Sequence, residues 1–492
     1  MPTSIGVAKE YCAMDLIPPE ILLNILEYID GPALSEMRLH DEPSLGLLVT
    51  KPNCSTALLK AAALVSRSWR SLVLPYLFRH VLWKPKVYSL SAFTLNPIPL
   101  LQFLAENQLA YRVATFTMII DFYDPAVDNY QFAPQIRTAD LEWLWDQLFS
   151  VIDPLRFTIV ARPTTLAALF SRMVYLDDAW SFDIPYHIVS LARNSRQLHT
   201  KVDSDNTQCP TGPEARLSST PAASSRPSRS ATFSTPRSRT PNFCPLFTVR
   251  PWTSILLNEG SSTKVYRGYE WFLRRPPSIL GALLGVEEYP NDPNAVPLIP
   301  HTVVDFNYIA IFPLSAHFET LIQHLPRIDR LFVQLTPKPG NGILERSDEM
   351  KYIDPADLWM ERNTSYNFLM RELTFAASHQ TNWRLLRVFE SGDAADKEAW
   401  EMAVRYLEDS GVQDWKAERE GVFVKQVNDG QPLAWSDEVN GHVGGFANIS
   451  DSNLLFVYSS YYSVKYQPGK TFYTTDTPFL EPIRVGRANE RG

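Results

Sequence analysis

The chain has 492 residues, of which 45% are hydrophobic, and its formal net charge is -8. Because this length exceeds that of one ordinary domain, we expect two units or one elongated array with a substantial core. The acidic balance argues against a dedicated nucleic-acid binder, whose affinity depends on lysine and arginine side chains that contact phosphates.

The first predicted element is an amphipathic helix at residues 17–29, with the sequence IPPEILLNILEYI. Pro18 and Pro19 suit a first helical turn, because the N–H groups that they lack would have no partner there. Glu20 complements the positive end of the helix dipole. The apolar residues recur at helical spacing and form one face: Leu22, Ile25, Leu26 and Ile29.

A polar interval at about 32–55 precedes a second predicted helix at 57–73, ALLKAAALVSRSWRSLV. Its apolar residues recur every three or four positions. Pro75 then opens a third short predicted helix, PYLFRHVLW. Because short helices are marginally stable alone, the three are expected to bury their apolar faces against one another.

The order I-P-P-E-I-L, then L-V-S-R-S-W-R, then P-Y-L-F-R resembles an F-box, a three-helix module that docks on a Skp-type adaptor. The resemblance covers residues 15–83, and the ending is similar to that of fungal F-box proteins. The interval at 32–55 is longer than is usual in the family, and we interpret it as a loop insertion.

The resemblance implies that nine residues form the adaptor-binding surface: Pro18, Pro19, Ile21, Leu22, Ile25, Leu26, Leu64, Val65 and Trp69. The alternative for each residue is an internal contact of the three-helix unit, because a small unit divides its apolar residues between core and interface. We expect Trp69 to lie in the core of the three-helix unit. We expect the edge of the first helix that carries the prolines and isoleucine to lie at the adaptor interface.

Residues 93–197 alternate between predicted strands and helices. Strands are predicted at 114–122 and 155–161, and helices at 138–152 and 164–174. Such alternation favours parallel strands with helices packed on the sheet. The helix at 138–152 is expected to bury one face: Leu141, Leu144, Leu148 and Ile152.

Residues 198–250 are predicted to form a disordered linker. Within it, residues 217–241 contain 8 Ser, 4 Thr, 4 Pro and 4 Arg and no acidic residue. Such a segment buries too little apolar surface to offset its ordering entropy. A passive insertion is favoured over a regulated linker phosphorylated at the three threonines that precede proline: Thr220, Thr235 and Thr240.

Predicted strands and helices alternate again in residues 251–480, which we interpret as the target-binding region. Its clearest helix, at 393–411, should bury Trp400, Ala403, Val404 and Leu407. The other predicted elements are strands at 301–312, 328–337, 382–392 and 421–427, a helix at 314–326, a helix at 354–375 that runs into a strand, and a hairpin at 454–476.

The predicted fold class is α/β or α+β: a three-helix F-box followed by an irregular strand–helix array. This array is consistent with a degenerate leucine-rich-repeat-like solenoid, in which each unit is buried against its neighbours. The sequence has no regular L-x-x-L-x-L-x-x-N repeat, and an irregular α/β domain of another type is the alternative.

No motif for catalysis, cofactor binding or metal binding stands out. The sequence lacks G-x-x-x-x-G-K-[ST], G-x-G-x-x-G after a strand, H-E-x-x-H and G-x-S-x-G. His317 and His324 can share a helix face but have no third ligand in the pattern. No catalytic residue, cofactor or metal is therefore predicted.

The four cysteines form no C-x-x-C pair, so neither a zinc site nor a disulfide framework is predicted. The N-terminus has no signal-peptide pattern, and no apolar run approaches the ~20 residues that span a bilayer. We therefore expect an intracellular protein of the cytoplasm or nucleus that is neither secreted nor attached to a membrane.

The F-box resemblance implies a non-catalytic substrate-recognition subunit of a Skp–cullin–F-box ubiquitin ligase. Its expected partners are the Skp-type adaptor, a cullin reached through that adaptor, and a protein target whose identity the sequence does not give. No nucleic-acid partner is expected. The alternatives are an F-box scaffold that directs no degradation, and an enzyme with a site between residues 250 and 490.

Overall fold

The computed structural model describes residues 17–44, 46, 54–85, 95–120, 138–174, 186–196, 244–268, 270–287, 293–375, 381–412 and 414–426. All of these lie in the first of two units of the chain, residues 1–428; the second unit is residues 429–492. The hairpin predicted at 454–476 and residues 198–243 of the predicted linker lie outside the described residues.

The described residues form a mixed α/β structure with one open, ten-stranded sheet. Its strands are β1 His80–Trp83, β2 Thr115–Ile119, β3 Arg156–Ala161, β4 His187–Ala192, β5 Ser254–Ser261, β6 Asp305–Ile311, β7 Arg330–Gln334, β8 Val388–Ser391, β9 Trp415–Arg419 and β10 Val422–Lys425. Strands β1 to β8 lie side by side in chain order, followed by β10 and then β9 at the far edge.

The sheet contains two groups of parallel strands, separated by one antiparallel strand. Strands β1, β2 and β3 pair in parallel, and so do β5, β6, β7 and β8. Strand β4 is antiparallel to both of its neighbours, and β10 is antiparallel to β8 and β9. Parallel pairing with helices packed on the sheet is the prediction for residues 93–197, and it is confirmed for β2 and β3, whereas β4 is antiparallel to β3.

The helices are α1 Pro19–Ile29, α2 Leu34–Met37, α3 Cys54–Ala62, α4 Arg67–Leu77, α5 Ile98–Glu106, α6 Thr138–Val151, α7 Pro163–Leu169, α8 Leu280–Leu284, α9 Ser315–Gln323, α10 Ser347–Met350, α11 Pro355–Phe375 and α12 Lys397–Asp409. Within the described ranges, no helix combines the length and apolar character that crossing a membrane requires.

The main core lies between the sheet and one layer of helices, on what we call the helix face. Alternate residues of the strands, such as Phe116, Phe157 and Phe306, point into this core and are fully buried. The predicted buried face of α6 is confirmed, because Leu141, Leu144, Leu148 and Ile152 all belong to this core. Helix α12 contributes its predicted residues: Trp400, Ala403, Val404 and Leu407.

A second, smaller core covers part of the opposite face of the sheet. It includes Ile119, Ile309 and Phe332 from the strands, and Tyr266 and Leu358 from segments that follow them. The loops after β5 and β7 therefore turn over this opposite face. The rest of this face is mainly polar.

Two predicted elements near the N-terminus are wrong. The helix predicted at 57–73 is divided into α3 and α4 by a turn, and Ser66 caps α4 by accepting a hydrogen bond from the Trp69 amide at 3.2 Å. The predicted third helix does not form: Pro75 stays inside α4, and the following residues form β1, which pairs with β2. The pairing of β1 with β2 at the edge of the sheet therefore outweighs the local helix preference of these residues.

Three boundaries further along the chain also differ from the predictions. Helix α11 continues to Phe375 without the predicted strand. The strand predicted at 382–392 shortens to β8, because Asn382–Leu385 forms a 3-10 helix. Residues 244–250 do not belong to a disordered linker as predicted, because Cys244, Leu246 and Phe247 are buried in the main core. These apolar residues anchor the chain before β5 begins.

Candidate functional site

Helices α1, α3 and α4 form a small helical unit with its own core. Leu26 of α1, Leu59 of α3 and Val73 of α4 are each at most 3% exposed and pack together. Partly buried side chains surround them: Ile29, Ala62, Ala63, Leu72, Tyr76 and Leu77. The three segments that the F-box resemblance joins are therefore packed against one another, although the helix boundaries differ from those predicted.

Proline and ion-pair contacts fix the two ends of α1. The Pro18 carbonyl accepts hydrogen bonds from the amides of Ile21 and Leu22 at 3.1 and 3.2 Å, so the first turn closes on the proline. At the other end, the Asp30 carboxylate lies 2.8 Å from the Arg79 guanidinium, next to the start of β1. Helix α1 is thus held to the residues that enter the sheet.

Six of the nine residues assigned to adaptor binding are exposed on the helical unit. We call these six the N-terminal apolar patch: Pro18, Pro19, Ile21, Ile25, Leu64 and Val65. Ile21 is 50% exposed, Ile25 is 44% exposed and Leu64 is 84% exposed. Large apolar side chains left in water on a unit that has its own core are typical of a protein-interaction surface.

The remaining three assigned residues lie elsewhere. Leu22 and Leu26 are buried, so their side chains stabilise the fold and offer no surface to a partner in this structure. Trp69 is partly buried on α4. Because α1 carries apolar residues on adjacent stripes, the sequence pattern does not distinguish the stripe that faces the core from the stripe that faces water.

Residues Ala33–Ser44, interpreted from the sequence as part of a loop insertion, pack on the opposite face of the sheet. Leu39 is 5% exposed and belongs to the second core. Burial lowers the pKa values of Arg156 and His80, and the nearby Glu36 carboxylate partly offsets this lowering. The segment therefore crosses the sheet from the β1–β3 side towards β5–β7.

The far end of this segment borders a groove of about 650 Å³, which we call the sheet-edge groove. Its sheet side is lined by Asn258, Ile309, Ile311 and Gln334, and its outer wall by residues 337–341 and Arg346. Burial, followed by the nearby Lys338 charge, lowers the pKa of His40 to about 4, so this imidazole is neutral at pH 7. The groove is thus lined by side-chain amides that can bind a peptide backbone, by the His40 ring and by the cationic groups of Lys338 and Arg346.

A polar ladder runs across the opposite face near the starts of the strands. Neighbouring strands pair Thr158 with Ser190 at 2.9 Å and Ser254 with Asp305 at 3.2 Å. Arg330 of β7 forms an ion pair with Glu390 of β8. Cross-strand polar pairs of this kind stabilise a sheet. Thr158 and Ser190 are buried, whereas Arg330 and Glu390 remain partly exposed and leave polar groups that a partner can contact.

A buried ionisable cluster lies on the helix face, around Glu259 of β5. The Glu259 carboxylate accepts hydrogen bonds from the Tyr308 hydroxyl at 2.7 Å and from the Ser278 hydroxyl, and it contacts His317 Nε2 at 2.9 Å. Burial raises the pKa of Glu259, but the opposing effects of His317, His187 and Ser278 are larger and lower it to about 2.

His187 of β4 faces this cluster without a hydrogen-bond partner for Nδ1 among the described residues. Its full burial lowers its pKa to about 4, against 6.5 in the unfolded chain. Both His187 and Glu259 therefore bind fewer protons in the folded state than in the unfolded state. Stability from these groups is present at pH 7 and is lost as the pH falls, first from 6.5 towards 4 for His187 and then below 4.5 for Glu259.

We expect the free energy of unfolding to fall by about 3 kcal/mol between pH 7 and pH 4 through His187 alone. Denaturant unfolding at several pH values measures this slope. The matched variant His187→Leu removes the titrating ring without removing a hydrogen bond of Nδ1. Identical slopes between pH 6.5 and 4 for the two proteins would contradict the assignment.

The histidine pair singled out from the sequence does not form a joint site. His317 contacts Glu259, whereas His324 Nδ1 lies 3.2 Å from the Thr320 carbonyl of its own helix. Across the described ranges, no three histidine, cysteine, aspartate or glutamate side chains come together in a way that could hold a metal ion.

Comparison of the chain with protein families, with curated proteins and with solved structures finds no match. The function proposed next therefore rests on the residues and geometry of this chain.

Proposed function

We propose that the chain is a substrate-recognition subunit of a Skp–cullin–F-box ubiquitin ligase. The observation that carries this proposal is the N-terminal apolar patch, which stays in water although its helices have a core of their own. The order of the sequence motifs across α1, α3 and α4 supports the same assignment. A Skp-type adaptor with an apolar groove is the partner that would cover this patch.

In the proposed mechanism, the chain holds a target protein close to a ubiquitin-charged enzyme. This requires the adaptor-binding helices to keep a fixed position relative to the region that holds the target. Helix α4 supplies Val73 to the small helical core, while its Leu74 and the following residue Phe78 pack against the main core. Strand β1 follows directly and is part of the sheet. A target held on the sheet would thus be kept at high effective concentration near a ubiquitin-charged enzyme.

The proposed target-binding region is the opposite face of the sheet, with its polar ladder. The side-by-side order of β1 to β8 supports a leucine-rich-repeat-like array, because each unit of such an array packs on the next unit along the chain. The reversed strand β4 is a departure from a regular repeat. An α/β sheet of another type would hold a target by the same face.

Affinity purification of the tagged full-length chain from its native cells tests the proposal. We expect a Skp-type adaptor and a cullin to be recovered with it, and a candidate target to accumulate when the proteasome is inhibited. Recovery of the adaptor without a cullin would favour an F-box scaffold that directs no degradation. Recovery of neither protein would overturn the F-box assignment.

A further inference from the structure

The segment Leu39–Pro43 lies on the sheet in the manner of a bound peptide. The Asn258 side-chain amide donates hydrogen bonds to the Leu39 and Asp41 carbonyl oxygens, each at 2.8 Å. The segment holds a turn, because the Asp41 amide donates a hydrogen bond to the Arg38 carbonyl at 3.1 Å. The Asn258 bonds contact only backbone carbonyls, so they are open to any segment that adopts the same turn. Gly260, with φ +73°, makes room for Pro43: a Cβ there would lie 3.1 Å from the Pro43 Cδ.

Side-chain contacts give the segment its specificity. Leu39 is the apolar anchor in the second core. The remaining contacts pair one residue of the segment with one residue of the protein body: the His40 and Phe332 rings with centroids 4.8 Å apart, Asp41 with Lys338 at 3.2 Å, and Glu42 with Arg346 at 3.4 Å. The pattern that is bound is apolar, aromatic, acidic, acidic, proline.

We propose that this site takes an acidic, turn-forming segment of a partner protein in exchange for Leu39–Pro43. The partner segment would carry an apolar residue two positions before an acidic pair and then a proline. The proposal rests on the proposed function, because it names the class of target segment that the sheet would hold. Residues Leu39–Pro43 would then act as an internal competitor for the target.

Charge and exposure support the exchange. Both ion pairs are solvent-accessible, and the side chains of Lys338 and Asp41 are 43% and 38% exposed. Exposed ion pairs contribute little binding energy, and salt screens them. The segment's advantage over a free peptide is its attachment to the chain, which corresponds to an effective concentration on the order of 1 mM. Weakening the segment is therefore expected to free the site for a peptide in solution.

The test uses the full chain and a fluorescent peptide with the sequence of residues 36–46, EMRLHDEPSLG. A control peptide carries lysine at the two acidic positions. We expect the acidic peptide to bind the variant Asp41→Lys plus Glu42→Lys at least about tenfold more tightly than the wild-type chain. Leu39→Ala is a second release variant, which weakens the apolar anchor and leaves the acidic residues in place.

The variant Lys338→Glu plus Arg346→Glu should reverse the preference, so that it binds the lysine peptide and not the acidic peptide. Failure of both release variants to bind the acidic peptide more tightly would overturn the proposal, and so would equal binding of the two peptides. Adaptor binding is measured on the same samples. A chain that binds the acidic peptide but not the adaptor would support the proposed peptide site and contradict the proposed ubiquitin-ligase function.

Discussion

Replacing Ile21 and Ile25 with aspartate is expected to weaken binding of a Skp-type adaptor at least about 100-fold, because burying each isoleucine contributes roughly 1.5–3 kcal/mol and a buried charge adds a desolvation cost. Both side chains are about half exposed in the structure, so the chain should keep its fold. Calorimetric titration of the adaptor into the purified variant measures the loss, and circular dichroism measures the fold.

A matched control separates this effect from a general effect of added charge. Met402 lies on α12, also a helix, and is 49% exposed, close to the 50% of Ile21. Met402→Asp should leave adaptor binding unchanged. Leu22→Asp is unsuitable for testing binding, because Leu22 is buried and a charge there would destabilise the fold. Normal adaptor affinity in the Ile21, Ile25 double variant would refute the docking assignment.

Replacing Glu259 with alanine is expected to lower the free energy of unfolding by roughly 2–5 kcal/mol, because several buried groups lose the acceptor that they share, at a cost of about 1–3 kcal/mol for each group left unsatisfied. The substitution leaves the Tyr308 hydroxyl and His317 without the carboxylate that they contact at 2.7 and 2.9 Å. Tyr308 is fully buried, so water does not readily replace the lost acceptor.

Denaturant unfolding at pH 7 measures this loss. Glu259→Gln keeps the size of the side chain and one acceptor oxygen, so a smaller loss of about 1–3 kcal/mol is expected. Glu401→Ala on α12 removes a carboxylate whose side chain is 68% exposed, and its effect should stay within about 0.5 kcal/mol. A Glu259→Ala chain as stable as the Glu401→Ala chain would show that the cluster does not stabilise the fold.

Sequence patterns predict the elements whose apolar residues repeat over several turns or lie in a run of β-branched residues. Helices α6 and α12 have the predicted buried faces, and β2, β3, β6 and β7 lie within the predicted strand regions. Strands β4 and β5 were not predicted. Each is one short apolar run beside residues 198–243, and such a run does not distinguish a strand from a buried helix by periodicity.

The candidate sites were predictable only in part. The exposed members of the N-terminal apolar patch follow from local motifs, whereas the burial of Leu22 depends on how the helices pack. The Glu259 cluster combines residues from separate elements, and Asn258 contacts Leu39 across 219 positions of sequence. No local pattern encodes such a contact, because it exists only after the sheet has formed.

The distance in sequence between the segment Leu39–Pro43 and its binding site has a consequence for how the chain folds during synthesis. Most sheet neighbours are consecutive strands, so the sheet can grow strand by strand as the chain leaves the ribosome. At ribosomal rates of about 5–20 residues per second, the 219 residues between Leu39 and Asn258 take roughly 10–40 s to synthesise. During that interval the helical unit can fold before the surface that holds residues Leu39–Pro43 exists.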